Sequence, residues 1–385
     1  MTTGSASYIR NLNRKRLLAE IIKNVSISRS ELAKITGLNK ATVSSQINDL
    51  IASNLVVELK REKSSVGRRP IPLQINGNAA YTIGVDIDHN HINIIFVNLK
   101  GKIIFSDKLQ LKDYTIDFVL DEITQYITPL IKKYNKEYNT IGLAGVGIGI
   151  HGIVNNEHKI IFTPKHQWST IKIKDKLEKA LNTKVYIDNN ANLSAVCEHA
   201  YVNQMKDLFC ITLHSGIGLG IIKNNEIYRG YQGFAGEIGH MIIQPKGKQC
   251  SCGNKGCWEL YASEQVLADK YNINVEQLYT ANLLNTSHEL QQELDEYLYY
   301  IAIGLNNIIN IFNPRNIILS SNIFYKNSEL LKIVKNKLKS KMNNYKSIQL
   351  SKIGYDACAL GGAILAIKKY LDVNVLNYAQ YKYWE

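Results

Sequence analysis

No stretch of this chain approaches the ~20 consecutive apolar residues that a membrane span requires. The longest strongly apolar run, Ile141 to Ile150, is about ten residues and rich in glycine, so no transmembrane helix and no membrane partner are expected. The N-terminus has no apolar signal core, which predicts a cytoplasmic protein. Cysteine is scarce: six in 385 residues, too few for a disulfide framework. Three of the six crowd together at Cys250, Cys252 and Cys257, which in a reducing compartment suggests a metal. Core-forming material is not lacking. Apolar residues make up 45% and charged residues 21%, too apolar for disorder and suited to two or three domains of ~100–200 residues.

The formal charge of +13 is unevenly spread. Residues 1–75 hold 13 Lys and Arg against 5 Asp and Glu, and the other 310 residues hold 33 against 28. A basic head on a nearly neutral body favours a small nucleic-acid-binding module, although a solvated basic surface would carry the same charge.

The head reads as three helices and a hairpin. Leu12, Leu17, Leu18, Ile21 and Ile22 recur at helical spacing and predict a helix over 11–24. Ser28 and Glu31 form a capping-box pair at the start of a second helix, which ends at Thr36-Gly37. Asn39 is a good N-cap for a third helix running to about Ser53. Its inner face is Val43, Ile47, Leu50 and Ile51. Its other face carries Lys40, Ala41, Thr42, Ser44, Ser45 and Asn48, short polar or cationic groups that can enter a major groove. Two short strands, 55–59 and 71–75, flank a basic segment ending in Gly67-Arg68-Arg69-Pro70. That slim tip, with Arg68 and Arg69, suits a minor groove. The whole reads as a winged helix-turn-helix over residues 1–76, with Asn39, Lys40, Thr42, Ser44, Ser45, Asn48, Arg68 and Arg69 as its DNA contacts. The same elements could serve a protein-binding module, but the charge, the turn and the wing agree on DNA.

From Tyr81 the texture changes to runs of Ile, Val and Gly. Strands are expected at 82–88, 91–98, 102–105, 141–150, 208–213, 218–222 and 316–319, with helices at 116–135 and 290–312. Two strand-rich cycles, each completed by helices, predict a two-lobed α/β body with a cleft over residues 77–385.

Within it, His240 is followed by Cys250, Cys252 and Cys257. One His and three Cys complete a tetrahedral N/S shell, which points to a structural zinc with no position left to activate water. Asn254-Lys255-Gly256 supplies the turn that brings Cys252 and Cys257 together.

The Glu-x-Gly-His and Cys-x-Cys-Gly-x-x-Gly-Cys-x-Glu patterns, at Glu237–His240 and Cys250–Glu259, resemble the signature of the ROK family (repressors, open reading frames and sugar kinases). The likeness extends over about residues 8–370. It implies an actin-like ATPase/hexokinase-type two-lobed body, preceded in the repressor branch by a winged helix. It also implies a sugar site made by Gly152, Asn189, Asn190, Glu237, His240 and Glu259. Carboxylates and amides suit adjacent hydroxyls, and a site built this way rejects an analogue that lacks one. His240 would bind the metal through one ring nitrogen and turn the other to the sugar.

Against that frame the kinase half is missing. The family's catalytic Asp falls on Asn190, and an amide cannot take a hydroxyl proton. The first phosphate loop reads Asp86-Ile87-Asp88-His89-Asn90, with bulk and charge where kinases have glycines. The second reads His214-Ser215-Gly216, and the adenosine-side Gly-Gly reads Ser320-Ser321. No catalytic residue is therefore assigned, and the chain reads as a sugar-responsive repressor rather than an enzyme. Within the family the Arg10–Arg14 opening, the Gly67–Pro70 wing and Ile148–Gly152 resemble the xylose-responsive branch of low-GC Gram-positive bacteria. That implies D-xylose as inducer, operator DNA as partner and a homodimer on a palindromic site. Glucose or an amino sugar, a live kinase with a DNA head, and a body that only docks another protein are the alternatives. His158 and His166 read as surface residues, Trp168 as a sugar cover or a packing residue, and Cys197, Cys210 and Cys358 as buried fillers. The tail from Asn377 has no assigned role.

Overall fold

The computed structural model describes residues 6–24, 26–59, 70–202 and 205–379. The head opens with α1 (Ala6–Lys23), which begins ahead of the predicted Asn11. Tyr8 and Ile9 in its first turns are exposed, so no burial pattern marks them in the sequence. Then come β1 (Ile27–Ser28), α2 (Arg29–Thr36) and α3 (Lys40–Ala52). The Ser28–Glu31 capping box forms, and Gly37 sits in the left-handed region at φ 68°. The Thr42 N–H donates to Asn39 Oδ1 at 2.7 Å, which starts α3 as expected. β2 (Val56–Glu58) and β3 (Pro72–Ile75) pair antiparallel, and β1 adds to the other edge of β3. A two-residue strand has no period for a sequence reading to detect. Residues 60–69 lie outside the described set, and with them the expected contacts Arg68 and Arg69.

The first lobe is built on β4 (Ala80–Ile87), β5 (His91–Asn98), β6 (Ile103–Gln110), α4 (Ile116–Glu137) and β7 (Gly142–Ile150). The short strands β8 (Ile153–Val154), β9 (Ile160–Phe162) and β10 (Ser169–Ile171) form a flap, followed by α5 (Lys174–Leu181) and β11 (Val185–Asn189). The main sheet has the order β11-β7-β4-β5-β6. β6 runs to Gln110, past the predicted end at Phe105, because Ser106, Asp107 and Lys108 lie exposed on an edge strand and carry no apolar pattern. The second lobe follows with α6 (Asn190–Tyr201), β12 (Leu208–Leu213), β13 (Ile217–Lys223) and β14 (Glu226–Ile227). It continues through α7 (Glu259–Ala262), α8 (Glu264–Tyr271), α9 (Val275–Thr280) and α10 (His288–Phe312). β15 (Asn316–Ser320), α11 (Asn322–Lys326), α12 (Leu330–Lys337), β16 (Ser347–Leu350) and α13 (Ala357–Leu371) complete the body. Its sheet has the order β14-β13-β12-β15-β16. Among the described residues no helix is long and apolar enough to cross a membrane.

α6 and α13 lie against each other between the two sheets, α13 on β4 and β7 and α6 on β12 and β13. Close approach makes this possible. A Cβ on Gly147 of β7 would meet the Gly362 carbonyl at 2.0 Å, and one on Gly361 would meet the Leu193 carbonyl of α6 at 1.9 Å. The apolar core around these helices continues through Ala79, Ile75 and Leu73 into Leu17, Val43 and Ile47 of the head. The C-terminal segment closes the join. Tyr378 N–H donates to the Ala200 carbonyl at 2.8 Å, its hydroxyl donates to the Leu99 carbonyl at 2.9 Å, and Asn377 reaches the Lys23 carbonyl of α1 at 3.4 Å. Asn377 and Tyr378, for which the sequence reading assigns no role, thus tie the body to the head.

Candidate binding cleft, metal centre and DNA-binding face

Parallel strands deliver their C-terminal ends to one side of a sheet, and that is where the cleft lies. Gly152 follows β7, Asn189 ends β11 and Asn190 starts α6. Glu237 and His240 come from the turn after Gly236, and Glu259 starts α7. All six line one cleft of ≈ 470 Å³ between the lobes. Burial pushes the Glu237 carboxyl up, His240 pulls it down and Glu259 pushes it up again, for a net rise. Glu237, Glu259 and His240 therefore offer a dense set of acceptors and donors to a polyhydroxylated ligand.

Asn189 lines the cleft while its side chain is also engaged by its neighbours. Its Oδ1 accepts from the Ala191 N–H at 2.8 Å, capping α6, and its Nδ2 donates to the Gly152 carbonyl at 2.8 Å. The side chain is largely spent on joining β11, α6 and the Gly152 loop, so it shapes the cleft more than it faces into it. Asp188 does not replace the missing base. It is buried, accepts from Asn192 at 2.9 Å and pairs with Arg229. Arg229 lies 41 residues downstream, and no local pattern announces it.

The four expected metal ligands converge. One donor atom from each of His240, Cys250, Cys252 and Cys257 lies within 4.8 Å of the others. Cys250 Sγ is 3.6 Å from His240 Nδ1, and Cys252 Sγ is 3.6 Å from Cys257 Sγ. Nδ1 therefore faces the thiols and leaves Nε2 for the cleft. Gly256, at φ 82°, packs where a Cβ would strike the Gln244 carbonyl at 1.8 Å, which is why the turn needs glycine there. An N/S₃ donor set at this spacing fits a tetrahedral metal ion.

Both phosphate corners are filled by acidic networks. Glu264, fully buried, accepts from Ser321 Oγ at 2.9 Å, Asn322 N–H at 3.1 Å and Tyr279 OH at 2.7 Å. In the other lobe Asp86 and Asp88 occupy the first loop. His151 Nε2 lies 2.9 Å from Asp86 Oδ1, and Tyr355 OH donates to Asp88 Oδ2 at 2.9 Å. Burial disfavours the His151 cation, but Asp88 and Asp86 outweigh it and raise its pKa to about 9. Burial and the nearby His151 depress His89 to about 3.

Two of three side residues differ from their expected settings. His158 is half-buried, its Nδ1 2.6 Å from the Ile187 carbonyl. His166 is also half-buried, stacked on Trp168 and 3.3 Å from the Asp88 carbonyl. Both were expected at the surface; loops folded over the end of the sheet cover them. Trp168 packs in the flap, its indole N–H donating to the Tyr114 carbonyl at 2.9 Å. Cys197, Cys210 and Cys358 are buried and free, as expected.

On the head, Asn39, Lys40, Ser45 and Asn48 are exposed along α3, while Thr42 and Ser44 are half-exposed. Arg29 was missed. It donates to Asn48 Oδ1 at 2.9 Å and pairs with Glu58 at 3.0 Å, bracing α3 against the wing strand β2. Partners 19 and 29 residues away leave no sequence signal.

A winged helix-turn-helix on a two-lobed sugar-kinase-type body with occupied phosphate corners defines a ligand-sensing DNA-binding protein rather than a phosphotransferase. The chain belongs to the ROK family, whose profile matches residues 82–369. A winged helix-turn-helix DNA-binding profile matches residues 10–57. The chain is 36% identical to a xylose repressor of Bacillus subtilis (strain 168), over 97% of this chain and 99% of that protein. It is 30% identical to a xylose repressor of Staphylococcus xylosus, over 96% and 97%. Among solved structures, a ROK family transcriptional regulator described as a homolog of the E. coli MLC protein superposes with a TM-score of 0.80. It is 22% identical and covers 95% of this chain and 97% of that one. A ROK glucokinase from Streptomyces griseus, solved with glucose and AMPPNP, gives a TM-score of 0.64 at 25% identity. It covers 74% of this chain and 98% of that one.

Proposed function

We propose that this protein is a sugar-responsive transcriptional repressor of the cytoplasm. As a homodimer it binds operator DNA of xylose-utilisation genes, and D-xylose releases it. Residues 1–76 read the DNA and residues 77–385 read the sugar. The observation that carries this reading is the division within one cleft. Glu237, His240 and Glu259 line one cleft, and they are the residues that the family resemblance assigns to the sugar. The base position is an amide, Asn190, and the phosphate corners hold Glu264 and Asp86 with Asp88. The relatives named as xylose repressors support the choice of sugar.

In this reading His240, Cys250, Cys252 and Cys257 would hold Zn²⁺, which supplies a rigid cross-link between the turn and the cleft. His240 then keeps its ring plane and offers Nε2 to a hydroxyl. Glu237 and Glu259 accept from neighbouring hydroxyls, and the Gly152 loop, tied to Asn189, sets the cleft width.

Transmission has a physical path. Asn189 caps α6 at the cleft, and α6 is 12 residues long, about 18 Å at ~1.5 Å per residue. Its far end meets Tyr378, and the preceding residue, Asn377, touches α1. Lobe closure on the sugar moves α6 as a rigid rod and changes how the two heads are spaced. The sugar must bind the closed form better than the operator-competent form, and operator must weaken sugar binding by the same factor.

A thermal-shift panel of aldoses, followed by operator gel shifts with the best hit, tests this. D-xylose is expected to stabilise the protein and to release operator. Glu237→Ala is expected to lose both effects while retaining DNA binding. Induction that survives in that variant refutes the site. Stabilisation by glucose or an amino sugar instead moves the ligand, and steady sugar-dependent ATP turnover removes the repressor reading.

A further inference from the structure

The filled first phosphate corner does more than exclude nucleotide. We propose that Asp88, His89 and His151 form a second, independent binding site for a divalent first-row transition metal ion of the zinc class, with an open coordination position facing the cleft.

The donors already face one another. One ligand atom from each of the three residues lies within 4.8 Å of the other two. His151 Nδ1 is 3.5 Å from Asp88 Oδ1, and His89 Nε2 is 3.9 Å from the same oxygen. Ligands at ~2.0–2.1 Å from a tetrahedral ion stand about 3.3 Å apart, so both contacts to Asp88 Oδ1 come into register with sub-ångström adjustments, and the two imidazoles lie within 4.8 Å of each other. The alternation along the chain produces this. Asp86 and Asp88 share one side at the end of β4, His89 follows in the turn, and His151 comes from the parallel neighbour β7.

The surrounding contacts are those a metal site uses to aim its ligands. Asp86 Oδ1 lies 2.9 Å from His151 Nε2. That contact fixes the ring and turns Nδ1 toward Asp88, where a metal would take the place of the Nδ1 proton, the carboxylate–histidine–metal arrangement. Asp88 is held by the His89 backbone N–H at 2.7 Å and by Tyr355 OH at 2.9 Å. Besides Asp88, Asn190 Nδ2 approaches His151 Nδ1, at 3.4 Å, a long contact that a metal would displace. His89 Nδ1 is buried with no hydrogen-bond partner, so the ring has not been recruited into a competing network.

Two imidazoles and one carboxylate suit zinc, cobalt or nickel and are poor ligands for Mg²⁺ or Ca²⁺. Three protein ligands leave a fourth position open, unlike the closed Cys₃His set. Here it opens on a cavity of ≈ 650 Å³ that also reaches Asn190 and His214. A water or a ligand oxygen can occupy it. The cluster shares no residue with His240, Cys250, Cys252 or Cys257, so its occupancy is separable from theirs.

The test uses the full chain with one zinc ion per chain in the Cys₃His set. Dialysis against Zn²⁺ followed by metal analysis is expected to give one additional ion per chain. Titration with Co²⁺ is expected to raise visible d–d bands without thiolate-to-cobalt charge transfer. His89→Gln and Asp88→Asn are expected to lose the additional ion and keep the first. Asp86→Asn, which alters the carboxylate behind His151 and none of the three ligands, is expected to weaken the additional ion by about 10–100-fold. A wild-type chain that saturates at one ion overturns the proposal without reference to any variant. So does an additional ion whose affinity is unchanged in His89→Gln or Asp88→Asn.

Discussion

Glu198 shows how one side chain can tie stability to pH. It is fully buried on α6, its Oε1 accepts from Ser351 and its Oε2 has no hydrogen-bond partner. Burial pushes its carboxyl from 4.5 up to about 7, against the Ser351 hydrogen bond. The folded state therefore holds a proton that the unfolded chain has released, and stability is full below 4.5 and falls as pH rises to about 7. Glu198→Gln is neutral at every pH and keeps the Ser351 contact. It is expected to be more stable than the parent above pH 7, by at most about 3 kcal/mol, with the gain vanishing in acid. Thermal unfolding across that range measures it, and a gain independent of pH would contradict the assignment. The cleft divides along the same line between local and distant information. Glu237, His240, Glu259 and the three cysteines were legible because their chemistry repeats at short fixed spacing. The roles of Asn189, Asp188 and Arg229 were not, since each is set by a partner from a distant element.

Helix ends carry predictions of their own. Asn39 both caps α3 through Oδ1 and lies exposed at the front of the expected DNA-reading helix. Asn39→Asp keeps the cap acceptor and adds a negative charge. Its expected result is unchanged thermal stability with operator affinity reduced at least tenfold, read by gel shift. Loss of both together would mean that the cap failed. The α13 layer makes the opposite point, that a helix can be fixed by what its neighbours lack. Gly147→Ala drives a methyl into the Gly362 carbonyl at 2.0 Å. Both partners are backbone, so the expected loss is about 3 kcal/mol or more in urea unfolding. Capped helices, the hairpin of the head and the apolar strands were all readable from the sequence. β1, the extension of β6 and the early start of α1 were not, because short or solvent-facing segments carry no hydrophobic period.

For the whole molecule the question is how the cleft reaches the heads. Among the described residues, the contacts cross at few places: the shared core, Lys15–Asp372 at 2.5 Å, Lys100–Gln74 at 2.7 Å and the Asn377–Tyr378 stitch. Tyr378→Phe combined with Asn377→Ala removes the side-chain hydrogen bonds of that stitch to Leu99 and Lys23 and leaves the Tyr378 N–H to Ala200 bond in place. Sugar affinity and operator affinity measured separately are expected to stay within about twofold. Their coupling, about 5–150-fold in systems of this type, is expected to fall toward unity. Undiminished release of operator by sugar in the double variant would place the path elsewhere.

By itself the sequence determined the two-part organisation, the α/β class of the body, the capped helices of the head, the Cys₃His cluster and the missing catalytic carboxylate. Each of these depends on residue type and local spacing, which the chain states directly. Only the tertiary structure decided that Asn189 is spent as a helix cap, that Glu264 fills the nucleotide corner and that Asp86 and Asp88 meet His151. It alone laid α6 between the cleft and the head. These outcomes depend on which strands become neighbours and how closely helices approach a sheet. Backbone packing sets both, and no short window of sequence records it.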